Sequence, residues 1–116
     1  MTMPQFIDHP LFQLLREGNV KDFNQQIASG ETVDLTDCDF RNCDMRGLNA
    51  DNLNFAGAYF RGADLRGIDF RNTRLAGASL AGAQISGCYF PKELHPAEID
   101  LSVTHGTRLR YEQEER

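Results

Sequence analysis

Large apolar residues recur at every fifth position from Leu35 to Phe90, with one exception, and no regular helix or strand has this period. In an α-helix, residues five apart lie about 140° apart around the axis, so the apolar side chains would spiral around the cylinder. In a strand, side chains alternate between two faces, so successive fifth residues would point to opposite sides of the sheet. The chain must therefore bend once in every five residues.

Twelve consecutive pentapeptides occupy residues 33–92 in a single register. The position two before each centre is small or apolar in every repeat, which predicts a second inward row. Where the centre is only Ala50, the second row holds the larger Leu48, as expected if the two side chains share one core. The remaining eleven centres form the predicted core: Leu35, Phe40, Met45, Phe55, Phe60, Leu65, Phe70, Leu75, Leu80, Ile85 and Phe90.

The position two after each centre indicates where the chain bends. Eleven of these twelve positions are Gly, Asn or Asp, the residues that best tolerate the positive φ of a tight turn. A bend in each repeat and four bends per circuit predict a β-solenoid, a quadrilateral β-helix with about 20 residues per coil. Residues 33–92 would then form about three coils.

The repeats resemble those of the pentapeptide-repeat family, whose units read roughly A(D/N)LxG. The segments GADLRG, residues 62–67, and GASLAG, residues 77–82, are close to that pattern. The resemblance implies a right-handed quadrilateral β-helix in which the centre and the residue two before it face inward. The segments on either side of the repeats also resemble those of small bacterial members of the family, which implies a bacterial protein.

The N-terminal part, residues 1–32, predicts a helical cap over the first coil. Pro10 and Gly18 are typical of the start and the end of a short helix, and a second helix is predicted from about Val20 to Ala28. The first coil of a solenoid exposes apolar core and unpaired backbone groups, so such a cover is needed.

The C-terminal part, residues 93–116, predicts a tail that forms a hairpin or two short strands. Residues 99–103 (IDLSV) and 108–111 (RLRY) each alternate apolar and polar side chains. These strands either cover the last coil of their own subunit or pair with a second subunit, so we predict a monomer or a homodimer through this tail. We expect residues 112–116 to be a solvated, frayed end, and all three parts to form one compact domain.

No residue pattern indicates an enzyme, a metal site or a cofactor. Cys38, Cys43 and Cys88 fall on the second inward row, where we expect core packing rather than redox or metal chemistry. The three histidines lie singly outside the repeats. The sequence has no nucleophile elbow and no Walker loop, and its glycines recur too regularly for a nucleotide-binding fingerprint. We therefore predict no catalytic residue, no metal and no cofactor.

Composition and charge limit the partners. The chain carries a net charge of −5, whereas residues 33–92 balance seven Asp against six Arg and one Lys. An acidic chain without a basic stripe is not expected to bind nucleic acid. No apolar run approaches the about 20 residues needed to cross a bilayer, and the first residues lack a signal-peptide pattern. We therefore expect a cytoplasmic protein without a membrane partner.

Outward arginines and tyrosines form the candidate partner-binding face. Arginine follows the centre in five repeats, and residues about 20 apart should stack, so rows of Arg are expected to interleave with rows of Asp. These rows are either a solvated ladder of ion pairs or a docking face for a protein partner of unknown identity. The candidate residues are Arg41, Arg46, Arg61, Arg66, Arg71, Tyr59 and Tyr89.

These features predict a non-catalytic protein–protein interaction module on a rigid repeat scaffold. The resemblance implies an alternative, because some pentapeptide-repeat proteins imitate duplex DNA with an acidic rod and bind a type II topoisomerase, DNA gyrase. The balanced charge of the repeats argues against such a DNA-mimicking modulator.

Overall fold

Three short helices flank a stack of turns in residues 3–112, the part of the chain that the computed structural model describes. The helices are α1 (Pro10–Arg16), α2 (Val20–Ala28) and α3 (Pro96–His105). The turns occupy residues 33–92, which we call the repeat stack. No helix in the described chain has the length and apolar character needed to cross a membrane.

The predicted β-solenoid, a right-handed quadrilateral β-helix, is wrong as a fold class, because residues 3–112 contain no β-strand and no sheet. Within this range the backbone pairs through eight isolated bridges, each formed by a single pair of residues. The physical reason is the bend in every repeat. The chain turns away before two consecutive positions can pair with the same neighbour, so no ladder develops.

Residues 20 positions apart lie side by side in successive circuits of the repeat stack. Asp44 forms a parallel bridge with Asp64, and Asp64 forms one with Gln84. The Met45 N–H donates to the Asp64 carbonyl at 3.0 Å, and the Asp64 N–H donates to the Cys43 carbonyl at 2.9 Å. Four pentapeptides therefore make one circuit, and each outward position forms a row that runs along the stack.

Positive φ angles mark the corners of the repeat stack. Ten of the eleven Gly, Asn and Asp corners have positive φ, and Asn72 is the exception. In the first circuit, Asp37 and Asn42 have φ of 59° and 63°, and their side chains lie against Gly57 and Gly62 of the next circuit. A Cβ atom on Gly57 would lie 1.9 Å from the Asp37 carboxylate, so the side chain of one corner requires glycine at the corner beside it.

The central residues of the repeats fill the interior of the stack. Phe40, Phe60 and Leu80 share one side of the stack and are 0 % exposed, and the rings of Phe40 and Phe60 stack at 5.6 Å. Nine of the eleven predicted centres are buried, whereas Ile85 and Phe90 in the last circuit are partly buried. The apolar core is therefore continuous along the stack and becomes more accessible at its C-terminal end.

Helices α1 and α2 cover the N-terminal end of the stack, and the sequence predicts helices over the same segments. Pro10 begins α1, and Nδ1 of the N-cap residue His9 accepts the Leu11 N–H at 3.1 Å. Phe12 is fully buried, and its ring centroid lies 5.5 Å from that of Phe40. This aromatic contact joins the apolar face of α1 to the first circuit.

Residues 99–103, predicted as a strand, lie within α3, so the predicted C-terminal hairpin or strand pair is wrong. Pro96 begins the helix, and the His95 side chain caps its first turn. Gly106 ends the helix with a left-handed φ of 73°. These three capping residues favour a helix more strongly than the short alternation of apolar and polar residues between them favours a strand.

Residues 93–112, which we call the C-terminal segment, cap two sides of the last circuit. The Ser102 hydroxyl accepts the Leu80 N–H at 2.8 Å, and the Leu109 carbonyl accepts the Gly77 N–H at 2.8 Å. Backbone donors at this end of the stack are thus satisfied by the same chain. This geometry agrees with the capping alternative, and the homodimer alternative stays a prediction. Of the predicted frayed end EQEER, only the first residue lies within the described chain.

Candidate functional site

The seven outward residues that the sequence pattern groups into one face lie on three sides of the repeat stack. The bridges between successive circuits define these sides. The first side carries Arg41, Tyr59 and Arg61, the second carries Arg46 and Arg66, and the third carries Arg71 and Tyr89. The structure therefore brings these residues together in three groups rather than one.

Four of the arginines are held by the aspartate two residues earlier in the same repeat. The Asp69 carboxylate accepts the backbone N–H of Arg71 at 3.0 Å and the guanidinium Nη2 at 2.8 Å. The backbone contact is an Asx turn, and the guanidinium adds a charge-assisted bond. We call these units Asp-x-Arg clamps, and they comprise Asp39–Arg41, Asp44–Arg46, Asp64–Arg66 and Asp69–Arg71.

The ion pairs of the clamps form within repeats, whereas rows of Asp and Arg were expected to interleave between circuits. One contact does join two circuits, because Arg46 Nε lies 3.3 Å from Asp64 Oδ2. Pairing within the repeat dominates because the carboxylate already accepts a backbone N–H two residues later, which places it beside the guanidinium of that residue.

The clamps keep their carboxylates ionised. The guanidinium of Arg46 donates hydrogen bonds to Asp44 and lowers the pKa of that carboxyl to about 2. Asp39 is only 1 % exposed, and burial raises its pKa. The hydrogen bonds and charge of Arg41, together with the charge of Arg16, nevertheless bring the pKa of Asp39 below its ordinary value. Each clamp is therefore an electrically balanced pair at neutral pH.

Arg61 lacks a clamp, because the residue two before it is Tyr59. Its guanidinium forms no ion pair with any residue in the range 3–112. The Tyr59 ring contacts Arg108 of the C-terminal segment, whose guanidinium carbon lies 5.0 Å from the ring centroid. Arg108 also donates to the Tyr59 hydroxyl and, at 2.7 Å, to the Gly77 carbonyl.

A groove lies between Arg61 and the C-terminal segment on the first side of the stack. Its volume is about 450 Å³, and its basic lining residues are Arg41, Arg61, His105 and Arg108. None of its ten lining residues is Asp or Glu. We call this surface the Arg61 groove, and it is a basic site on an acidic chain.

Two residues of the groove, Arg108 and His105, are not predicted from the sequence because they lie beyond the repeats. Arg108 reaches the first side through an antiparallel bridge to Ser79, and His105 is the last residue of α3. The sequence signal for their position is the pair of helix-capping residues Pro96 and Gly106. A helix between these two would return the chain across the last circuit.

An exposed aromatic residue lies on the third side of the stack. Tyr89 is 58 % exposed, and the guanidinium carbon of Arg71 lies 4.4 Å from the centroid of its ring. Arg71 also belongs to a clamp with Asp69. The tyrosine and the arginine therefore support each other's orientation through a cation–π contact.

Two of the three cysteines lie in the interior, and Cys88 is partly buried against it. Cys38 and Cys43 are buried, and burial, followed by the charges of nearby aspartates, raises the pKa of the Cys38 thiol to about 11. The Cys43 sulfur accepts a hydrogen bond from Arg16 at 3.1 Å. Within the part of the chain that the structure describes, no group of three His, Cys, Asp or Glu side chains is arranged to hold a metal ion.

Comparison with known proteins identifies the repeats. A family model described as pentapeptide repeats matches residues 33–62 and 54–90 with eight copies, and the two matches together span half of the chain. A search of curated proteins and a search of solved structures each found no match. The likeness to a known family therefore rests on the repeats themselves.

Proposed function

The chain belongs to the pentapeptide-repeat family, and we propose that it acts as a non-catalytic protein-interaction module. The observation that carries this proposal is the fixed geometry of the outward arginines. Each Asp-x-Arg clamp holds a guanidinium by contacts within one repeat. A partner that binds these groups loses little free energy to side-chain ordering, which is a major cost of forming an interface.

The exposed tyrosine on the third side supports the same proposal. Tyr89 lies against Arg71, which is itself clamped, so a rigid aromatic ring and a guanidinium are presented together. Tyr and Arg are enriched among the residues that dominate the binding energy of protein interfaces. We therefore expect Tyr89 and Arg71 to contact a partner protein.

Affinity capture with matched variants tests this function. Wild-type protein would be used to capture partners from its native host, and a partner identified by mass spectrometry would be purified and titrated. Tyr89→Ser should weaken that binding about tenfold or more, as expected for a residue central to an interface. Leu101→Ser removes an exposed apolar side chain from α3 and is the control, with an expected change below about twofold.

Two results would contradict the proposal. One is the absence of any partner that binds saturably as a purified protein. The other is equal weakening by Tyr89→Ser and Leu101→Ser, because a loss that does not depend on the position of the side chain indicates nonspecific adsorption.

The alternative of a DNA-mimicking modulator of gyrase has less support. A DNA mimic needs a continuous acidic surface. Four of the seven aspartates in residues 33–92 belong to clamps, where arginine balances their charge. A supercoiling assay with purified gyrase and micromolar protein separates the two functions. We expect unchanged supercoiling, and inhibition would favour the alternative.

A further inference from the structure

We propose that the Arg61 groove binds a short acidic segment of a partner protein, an inference that rests on the proposed interaction function. The groove is on the first side of the repeat stack, where the C-terminal segment crosses the last circuit. A carboxylate of the partner would take the place that aspartate occupies in each Asp-x-Arg clamp. Three features of the groove support this ligand.

The first feature is a positive charge without a counter-charge in the described part of the chain. Arg61 and Arg108 form no ion pair with residues in the range 3–112, whereas Asp39 balances Arg41. Because none of the ten lining residues is acidic, the groove has an excess of positive charge in a chain whose net charge is −5. Guanidinium groups bind carboxylates through paired, charge-assisted hydrogen bonds.

The second feature is the position of Arg108 before any ligand binds. Its guanidinium lies over the Tyr59 ring and donates one hydrogen bond to the tyrosine hydroxyl and one to the Gly77 carbonyl. A guanidinium has five N–H donors, so the other donors stay available for a ligand. A side chain that is already held in place loses little conformational freedom on binding.

The third feature is the mixed lining, which favours a peptide over a lone anion or a nucleic acid. Met3, which is 73 % exposed, and Pro4 form an apolar wall beside the arginines. Inorganic phosphate would leave this wall uncovered, whereas a peptide with acidic and apolar side chains would contact both parts of the groove. A nucleic acid would place a run of phosphates against a chain with net negative charge.

Fluorescence polarisation with a short labelled peptide, in which Glu alternates with Leu and Ser, tests the proposal. The same peptide with Gln in place of Glu should bind at least about tenfold more weakly, because charge-assisted hydrogen bonds are lost. Arg61→Gln should weaken binding of the Glu peptide by a similar factor. Arg74→Gln is the matched control, because Arg74 is also exposed and forms no ion pair in the described chain but lies on the fourth side of the stack, outside the groove. This variant should change the affinity less than about twofold.

Amide chemical shifts give a second readout that does not depend on affinity. Addition of the Glu peptide should shift the backbone amides of Ala81 and Gly106, which line the groove, and leave that of Gly67 unchanged. Thermal melting of each variant would show that it is folded. Arg61 makes no ion pair in the described chain, so Arg61→Gln should melt within a few degrees of the wild type.

Three results would overturn the inference: equal binding of the Gln peptide, equal weakening by Arg74→Gln, or full competition by inorganic phosphate at the concentration of the peptide. These results can be distinguished from a failure of the proposed function. If a captured partner binds Arg61→Gln as well as wild type and depends on Tyr89, the interaction function stands and the acidic-segment inference fails. If no partner is captured at all, the proposed function fails whatever the peptide does.

Discussion

The repeat centred on Phe70 and the repeat centred on Phe60 differ at one outward position. Both phenylalanines are buried, and both donate their backbone N–H to the next circuit, at 2.7 and 2.9 Å. The residue before the centre is Asp69 in one repeat and Tyr59 in the other. The arginine after the centre is consequently clamped in the first repeat and has no ion pair in the described chain in the second.

Different positions of a repeat therefore determine its packing in the interior and its charge at the surface. The centre and the corner determine how the chain packs and turns, and the residue before the centre determines whether the following arginine is balanced. A single outward substitution therefore changes the surface charge without changing the backbone. Four experiments test whether the interior and the surface are independent in this way.

The largest expected effect is in the core, where the two repeats should behave alike. Phe70→Ala and Phe60→Ala should each lower the free energy of unfolding by about 3 to 5 kcal/mol, because each removes a buried ring and leaves a cavity. Urea denaturation of both variants measures the loss. A loss below about 1 kcal/mol in either variant would show that its ring is not part of the core.

The next effect compares a buried clamp with an exposed one. Asp39→Ala should cost about 2 to 3 kcal/mol, because the buried carboxylate accepts hydrogen bonds from the Arg41 side chain and lies 3.8 Å from Arg16. Asp69→Ala, in an exposed clamp, should cost clearly less, because solvent screens an exposed ion pair. Equal losses in the same urea assay would mean that burial does not distinguish the two clamps.

Acid should weaken the clamps. The pKa of Asp44 is about 2 in the folded protein against an ordinary 3.8, so its contribution to stability is present above pH 4 and lost as the pH falls toward 2. Its side chain is 53 % exposed, so solvent screening keeps this contribution below about 1 kcal/mol. Urea midpoints at pH 7, 4 and 2.5 measure the loss. Asp44→Asn and Arg46→Gln should both flatten this pH dependence, and an unchanged slope in either variant would contradict the assignment to this clamp.

The smallest effect on stability, about 0.5 kcal/mol or less, is expected for Tyr59→Asp, which places the Asp-x-Arg pattern around Arg61. The new carboxylate should balance Arg61 and abolish binding of the Glu peptide. Tyr59→Asn is the matched control, because Asn can form the Asx turn without adding charge. If both variants weaken peptide binding equally, loss of the Tyr59 contact to Arg108 is the cause, and the balance of charge is not.

The period of five was sufficient to predict which side chains enter the core and that Asp44 would lie beside Asp64. The β-helix predicted from the same period is wrong, because a bend in every repeat limits each pairing in the described chain to one residue. The alternation in residues 99–103 suggested a strand, and the capping residues on either side produced a helix. Short alternating segments carry less information than a complete pair of helix caps.

Only those parts of the candidate site that depend on contacts between residues close in sequence could be predicted. The Asp-x-Arg pattern is visible in the sequence because its contacts join residues two apart. The Arg61 groove depends on Arg108, which is 49 residues from Tyr59 in the chain and reaches it only through the return of the C-terminal segment. No periodicity within residues 33–92 contains that information.

The spacing of 20 residues between neighbouring circuits limits how a protein of this kind changes length during evolution. Tyr59 pairs with Ser79, and Ser79 pairs with Arg108, so the groove needs the tail to end on one particular side. Duplication of a single pentapeptide after Tyr59 would rotate the exit of the chain by a quarter of a circuit and carry Arg108 to another side. Duplication of a whole circuit would keep the side but separate the two residues by another row. Related proteins that keep this groove should therefore conserve the number of residues between the positions of Tyr59 and Arg108. This number should be conserved more strictly than the identities of the residues in between.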